Sequence, residues 1–355
     1  MASNILTRMG DGQRVCLSSD DVKEDLLAGT RDAAGRGGIP ELTLDEVHHL
    51  FEIFANPDRV VSVSPGEEVV MTDDGSAMLI LCDQADGGVG VPMSRQQAIL
   101  AYERGCVADT ASLGHHDYSY KAVKPLISYE MQEYYTTSLV TTIPLFYGSQ
   151  PNLGLYYRPD GPYPNPADLL PKGKIKEARE TQEEAAEHLK KDMVYIGTKL
   201  YEVGCEGINF DTAASAGDAD FCATLETVAE LKKAAPLMAV EVGMSGEFVL
   251  GMHGEMTFDG KRLAGLYPHE QVKVVEASGA DIFGPAINVN TTRSMPWNLA
   301  RAVTFVKETV RVAKIPVHVN AGMGVGGVPM FEIPPIDCVT RASKALVQIG
   351  KADGL

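Results

Sequence analysis

Residues 281–319 hold one complete unit of the repeat on which the fold rests. Asp281-Ile-Phe283 is a short apolar run, a polar loop follows through Asn288 and Asn290, and Ile315-Pro-Val-His-Val319 is a second run. Between them Leu299, Val303, Val306 and Val310 step by four, three and four, with Arg301, Lys307, Glu308 and Arg311 turned outward. That is the spacing of a half-buried helix. The same rhythm recurs along the chain, with further apolar runs at Ala77–Cys82, Leu139–Phe146, Gly207–Phe210 and Leu237–Val242, and a weaker candidate between Val107 and Tyr118. Leu189, Met193, Ile196, Leu200 and Val203 mark another helix at the same spacing, and the charged run Lys174–Lys191 reads as its solvated face. The apolar runs lack alternation, as expected of parallel strands buried on both faces.

Repeated βα units form either an open doubly wound sheet or a closed (β/α)8 barrel. Counted from Ala77 there are seven strands, each followed by a helix, the last over about Asp337–Ile349. Lys351-Ala-Asp-Gly-Leu355 then resembles earlier strand entries such as Gly279-Ala-Asp-Ile-Phe283. The expected fold is α/β, a TIM-type (β/α)8 barrel over residues 77–355 behind an N-terminal extension of residues 1–76. It lacks the end of strand eight and the final helix. A barrel short of one strand has two unpaired edges, so either the sheet is open or the polypeptide is incomplete. In the extension, helices are expected from Asp20 to Ala28 and from Thr43, where Thr43-Leu-Asp-Glu46 matches a capping box ahead of Val47, Leu50, Phe51 and Phe54.

Composition narrows the function classes. With 31 Lys+Arg against 48 Asp+Glu the formal charge is −17, which argues against nucleic acid or an anionic membrane as partner. The 6 Cys are scattered without a C-x-x-C pair, which favours a reduced, cytoplasmic setting. The start has no apolar core of signal-peptide length, and the uncharged stretch Tyr134–Tyr157 is broken by proline and glycine, a poor bilayer span.

In a barrel, reactive groups sit where strands give way to βα loops. Those positions here are Asp83 and Gln84, Tyr147 and Gln150, Asp211 and Thr212, Glu241, Asn288 and Asn290, and His318 and Asn320. Any strand-end Asp or Asn also serves as a helix cap or turn former. Glu241 is harder to dismiss, because a carboxylate inside Ala239-Val-Glu-Val242 points into a cavity or the interior and needs a partner or a function. Gly322-Met-Gly-Val-Gly-Gly327 contains G-x-G-x-x-G, but Pro329, Pro334 and Pro335 separate it from the next helix. It reads as a glycine loop at the mouth rather than a dinucleotide site. His115, His116 and His253 read as loop residues with structural hydrogen bonds, and no H-E-x-x-H or Cys/His cluster marks a metal site. The D-x-H-x-x-G signature of corrinoid-carrying domains is also missing.

Several segments together resemble the dimethylamine:corrinoid methyltransferases, pyrrolysine-containing enzymes of methylamine-using methanogens. They are Thr7–Gly12, Gly114–Tyr120, Ile143–Gly148, Gly207–Thr212, Val249–Gly254, Trp297–Phe305 and, longest, His318–Ala345. The resemblance implies methyl transfer from dimethylamine to the cobalt of a separate, cognate corrinoid protein, releasing monomethylamine in methanogenesis. It implies that this chain binds no cofactor tightly and works in the cytoplasm as a homo-oligomer. It also implies that the residue after Leu355 is pyrrolysine, encoded by an in-frame amber codon, with a segment beyond it completing the barrel. The 355-residue form is then expected to be inactive. As positional assignments, Glu241, Asp211 and His318 are expected to be catalytic, and Gln150, Tyr147, Asn288 and Asn320 to contact substrate. Two other readings stay open. One is a metal-dependent barrel lyase or hydrolase using Asp211 and Glu241; the other is a non-enzymatic truncated fragment.

Overall fold

The computed structural model describes residues 4–67, 69, 151, 153–331 and 334–355, together with the backbone of strands at 77–81, 90–94, 123–125 and 146–149. Strands β1 (Asn4–Arg8) and β2 (Arg14–Ser18) form an antiparallel hairpin that leads into α1 (Ser19–Gly37). The helix expected over Asp20–Ala28 runs on to Gly37. Ser18 and Asp21 form a capping box at its start, and Gly38, in the left-handed region at φ 62°, ends it. The next helix, α2 (Leu44–Ala55), opens as its sequence requires: Thr43 Oγ accepts the Glu46 N–H and the Glu46 carboxylate accepts the Thr43 N–H.

Strand β3 (Ala77–Leu81) differs from expectation. It pairs antiparallel with β4 (Gly90–Ser94) in a sheet of its own, instead of opening a parallel series. Antiparallel partners accept a short connection, whereas parallel neighbours need a crossover of about a dozen residues or more; only residues 82–89 lie between β3 and β4. The candidate strand between Val107 and Tyr118 lies outside the described residues. So do residues 139–145 of the run Leu139–Phe146, whose last residue opens β6.

The main sheet contains β5 (Val123–Pro125), β6 (Phe146–Ser149), β7 (Gly207–Phe210) and β8 (Ala239–Ser245) in that order. After a small hairpin, β9 (Thr257–Phe258) with β10 (Lys261–Arg262), β11 (Ile282–Pro285) completes it. β5 is antiparallel to β6, and the remaining neighbours are parallel. Single parallel bridges continue the series, Phe283 to Val317 and His318 to Gly354. Between these strands run α3 (Pro166–Leu169), α4 (Ile175–Glu202), α5 (Asp218–Ala234), α6 (Pro268–Ser278), α7 (Met295–Val312) and α8 (Ile336–Gln348). Within this sheet each strand lies beside the preceding strand of the same sheet, so among the described residues the order lacks the reversal of a doubly wound sheet. Among the described residues, however, no pairing closes the sheet on itself. The observed architecture is mixed α/β with a five-stranded, mostly parallel sheet and smaller two-stranded ones. The expected (β/α)8 barrel, short of the end of strand eight and its final helix, is thus matched there only as far as mixed α/β architecture.

Two further expectations are corrected. The strands do alternate. Ile208, Phe210, Val240, Val242 and Phe283 enter one apolar core with Leu189, Leu225, Val228 and Val272 of the helices. Val317 and Val319 enter a second core with α1, α2, α7 and α8. The residues between them are Asn209, Asp211, Glu241, Gly243, Gly284, His318 and Asn320. One face of the sheet is therefore apolar and packed under helices; the other carries these polar or bare positions beside Ile282, and it too is buried at Asn209, Asp211 and Glu241. Arg301 and Glu308, expected on the solvent side of α7, are buried. Arg301 is covered where α1 packs across α7 and Asp32 accepts from its guanidinium, while Glu308 lies against Arg311 and near His269 and Lys273 of α6. Among the described residues no helix is long and apolar enough to cross a membrane.

Candidate functional site

The polar face of the parallel strands is where chemistry-bearing groups converge. Asn209 of β7 stands in register with Glu241 of β8, and Glu241 in register with Ile282 of β11. Each polar side chain leans over a glycine of the next strand. The Asn209 carboxamide lies over Gly243, where any added Cβ would collide with it. The Glu241 carboxylate lies over Gly284, where an added Cβ would stand 3.3 Å from Oε1 and 3.0 Å from the Gly243 Cα. Bare backbone at 243 and 284 is thus what lets two buried polar groups lie flat on the sheet.

Glu241 is 4% exposed, and its Oε1 lies 2.7 Å from His318 Nδ1. The two atoms are within hydrogen-bonding distance, with the imidazole donating in the tautomer that carries its proton on Nδ1. His318 is also the residue that bridges to Gly354, so the C-terminal residues run beside this pair. The Val319 N–H donates to the Gly354 carbonyl, and the Asp353 carboxylate accepts from the Val317 N–H. β8 is anchored at its far end by Ser245 Oγ, 2.7 Å from Gln271 Oε1 of α6.

The other expected residues are less closely gathered. Asp211 is buried directly after β7. Asn320 is half-buried beyond Val319, and Asn288 is exposed, with its backbone rather than its side chain engaged. Gln150, Asp83, Gln84 and the side chain of Tyr147 lie outside the described residues. Among the described residues no group of three or more His, Cys, Asp or Glu side chains is placed to hold a metal ion. The metal-dependent reading of Asp211 and Glu241 therefore has no ligand set there. The Gly322–Gly327 loop is tightly packed: an added Cβ at Gly327 would press on the Leu299 backbone at 2.7 Å, and Gly324, Gly326 and Gly327 all have positive φ.

Three polar groups escaped the sequence reading. Asn209 was not singled out, although it alternates with Ile208 and Phe210 just as Glu241 alternates with Val240 and Val242. Glu247 forms a bidentate ion pair with Arg301, one arm at 2.7 Å. Arg301 Nε also donates to Asp32 of α1 at 2.8 Å, and its Nη1 to the Asn288 carbonyl at 3.0 Å, while the Asn288 N–H donates back to Glu247. Burial alone would lower the Arg301 guanidinium; the Glu247 and Asp32 carboxylates outweigh it and hold it above its ordinary value. The third group is acidic. Asp220, fully buried in the first turn of α5, is pushed up to about 7 by burial, an effect only partly offset by backbone donors such as the Ala216 N–H at 2.9 Å.

His253 has the structural role expected of it. It is buried against Asp218, which also accepts the Gly254 N–H at 2.8 Å. The hydrogen bond to Asp218 raises the imidazole above its usual range. Burial would raise the Asp218 carboxyl, but the donors from His253 and Gly254 hold it below normal.

The loops at the C-terminal ends of the strands are tied to the N-terminal segment. The Gly10 N–H donates to the Arg293 carbonyl at 2.7 Å, and the Met330 N–H to the Gly10 carbonyl at 2.9 Å. This ties the Thr7–Gly12 motif to the loops after β11 and after Val319. No solved structure matches the chain. The family model described as dimethylamine methyltransferase (Dimeth_PyL) matches residues 3–355. With that match running over nearly all of its length, the chain belongs to the dimethylamine methyltransferase family.

Proposed function

We propose that this chain is the catalytic part of a methyltransferase that moves a methyl group from dimethylamine to the cobalt of a corrinoid carried by a separate protein, in methanogenesis from dimethylamine. The observation that carries the reading is the buried Glu241–His318 pair on the polar face of the strands, in a chain of this family. In the transfer the methyl carbon leaves without its bonding pair, and Co(I) supplies two electrons and ends as methyl-Co(III). The nitrogen keeps the C–N pair and, with a proton, departs as monomethylamine. A dialkylamine is a poor donor unless its nitrogen is made cationic. Glu241 is suited to stabilise that cation, and with His318 beside it to hold or pass the proton.

On this reading the residue after Leu355 is pyrrolysine, which supplies an electrophilic imine carbon that takes up the amine nitrogen. The bridge from His318 to Gly354 supports that placement, since it runs the last residues alongside Glu241 and His318. The parallel series from β6 onward supports a barrel within residues 77–355, with β3 and β4 as a separate antiparallel pair outside that series and residues 1–76 as an extension. Asp211, Asn320 and Asn288, with Gln150 and Tyr147, are assigned to its mouth. Exposed Phe248, Leu250, Met323, Met330 and Phe331 all lie on loops that follow strands of this series. Such apolar loop tips suit the face of a docking corrinoid protein.

The test is direct. Full-length protein from the native gene should methylate reduced corrinoid protein with dimethylamine and release monomethylamine, followed by the cobalt absorption spectrum. The polypeptide of residues 1–355 should not. Methyl transfer by residues 1–355 alone would overturn the pyrrolysine assignment, and failure of the full-length protein would overturn the activity.

A further inference from the structure

We infer that Asn209 is a substrate-binding residue that, together with Glu241, counts the N–H groups of the amine and so selects a secondary ammonium; the inference rests on the methyltransferase reading and deepens it. Asn209 is nine-tenths buried, and among the described residues its Oδ1 has no hydrogen-bond donor. A buried acceptor in that state calls for a donor from a bound molecule. Its surroundings say which kind. Asn209 and Glu241 are register partners on adjacent strands, lying over Gly243 and Gly284, so both present oxygen acceptors on the same polar face.

Neighbouring strands are about 4.8 Å apart. Two acceptors that each sit about 2.8 Å from one tetrahedral nitrogen are about 4.6 Å from each other. One acceptor on each strand therefore matches the two N–H bonds of a dialkylammonium ion. Glu241 already holds His318 through Oε1, and its Oε2 is the carboxylate's other acceptor. Dimethylammonium, as it enters and before it gives a proton to Glu241 and adds to the imine carbon, has two N–H groups and satisfies both strands. Trimethylammonium has one and leaves Asn209 without a donor, with a methyl group pressed against its carbonyl. Methylammonium has three and must bury one unmatched.

The experiment uses full-length protein and steady-state methyl transfer to reduced corrinoid protein. Asn209→Ala should raise KM for dimethylamine by about 10-fold or more, as expected for loss of one charge-assisted hydrogen bond. It should lower the preference for dimethylamine over trimethylamine by a similar factor. Asn209→Asp, which keeps an acceptor, should restore KM to within about threefold of the wild type. Unchanged KM and preference in Asn209→Ala, in a protein whose thermal unfolding remains cooperative, would overturn the inference and leave the methyltransferase reading standing. A wild-type protein that turns over no dimethylamine would instead remove the reading itself. If the alanine variant does not fold, inhibition of the wild type decides. Pyrrolidinium, with two N–H groups, should inhibit about tenfold more strongly than tetramethylammonium, which has none, and equal inhibition would sink the proposal.

Discussion

Glu241 and Glu247 are buried carboxylates six positions apart, the first within β8 and the second just beyond its end, yet their surroundings differ in kind. Glu247 is held at three points: two bonds to the Arg301 guanidinium and one from the Asn288 N–H, with Asp32 beyond on the same guanidinium. That network ties a β8 loop, a β11 loop, α7 and α1 together and neutralises the charge within the fold. Glu241 has one hydrogen-bond partner among the described residues, an imidazole, and lies over bare glycine backbone. A carboxylate held at several points by the fold braces the fold. One held at a single point, in a shallow polar floor, keeps capacity for a substrate.

The largest effect should come from breaking the brace. Arg301→Ala strands Glu247 without its counter-charge, and we expect a loss of about 3–5 kcal/mol in chemical denaturation. A loss below about 1 kcal/mol would show that the network carries no structural load. The same measurement sharpens the contrast at the other site. Glu241→Gln keeps the shape and should change stability by less than about 1 kcal/mol, yet lower methyl transfer by about 100-fold or more. Equal damage to stability and rate would erase the distinction between the two carboxylates.

A smaller effect tests a third buried carboxylate. Asp220 is raised to about 7 in the folded chain, so the folded state holds a proton that the unfolded chain releases near its ordinary value of about 4. Stability should therefore fall as pH rises from about 4 to 7, and level off above. Asp220→Asn should flatten that slope and stabilise the protein at pH 8 by about 1–2 kcal/mol. A slope identical to that of the wild type would assign the pH dependence to other groups. His253 and Asp218 act at different limits. The raised imidazole contributes stability that is complete below its unfolded value and is lost as pH climbs through the folded one. The lowered carboxyl contributes above its unfolded value and is lost as pH falls through the folded one.

Much of the path to the site was legible along the chain. Short-range signals carried it: the Thr43–Glu46 capping box, the four-and-three spacing of α4 and α7, and the βα rhythm that puts Glu241 and His318 on strand segments either side of β11. Reading the apolar runs as unalternated hid Asn209, whose polar side chain was there between Ile208 and Phe210 all along. β3 was misassigned because an apolar run does not state whether its partner is parallel or antiparallel. Loop length and neighbours decide that.

By itself the sequence determined the helices α2, α4 and α7, the strand positions at Gly207–Phe210, Val240–Val242, Ile282–Phe283 and Val317–Val319, the acidic balance, and which residues are able to carry charge inside the sheet. These follow from periodicity, capping and composition, which act between residues close in the chain. Only the tertiary structure decided that Arg301 turns inward, that Glu247 is a brace, and that Glu241 meets His318 over Gly284. Those outcomes depend on which helix covers which face and which strands become neighbours. Burial and pairing energies across residues 32, 241, 247, 301 and 318 set them, and no local pattern encodes a contact at that separation.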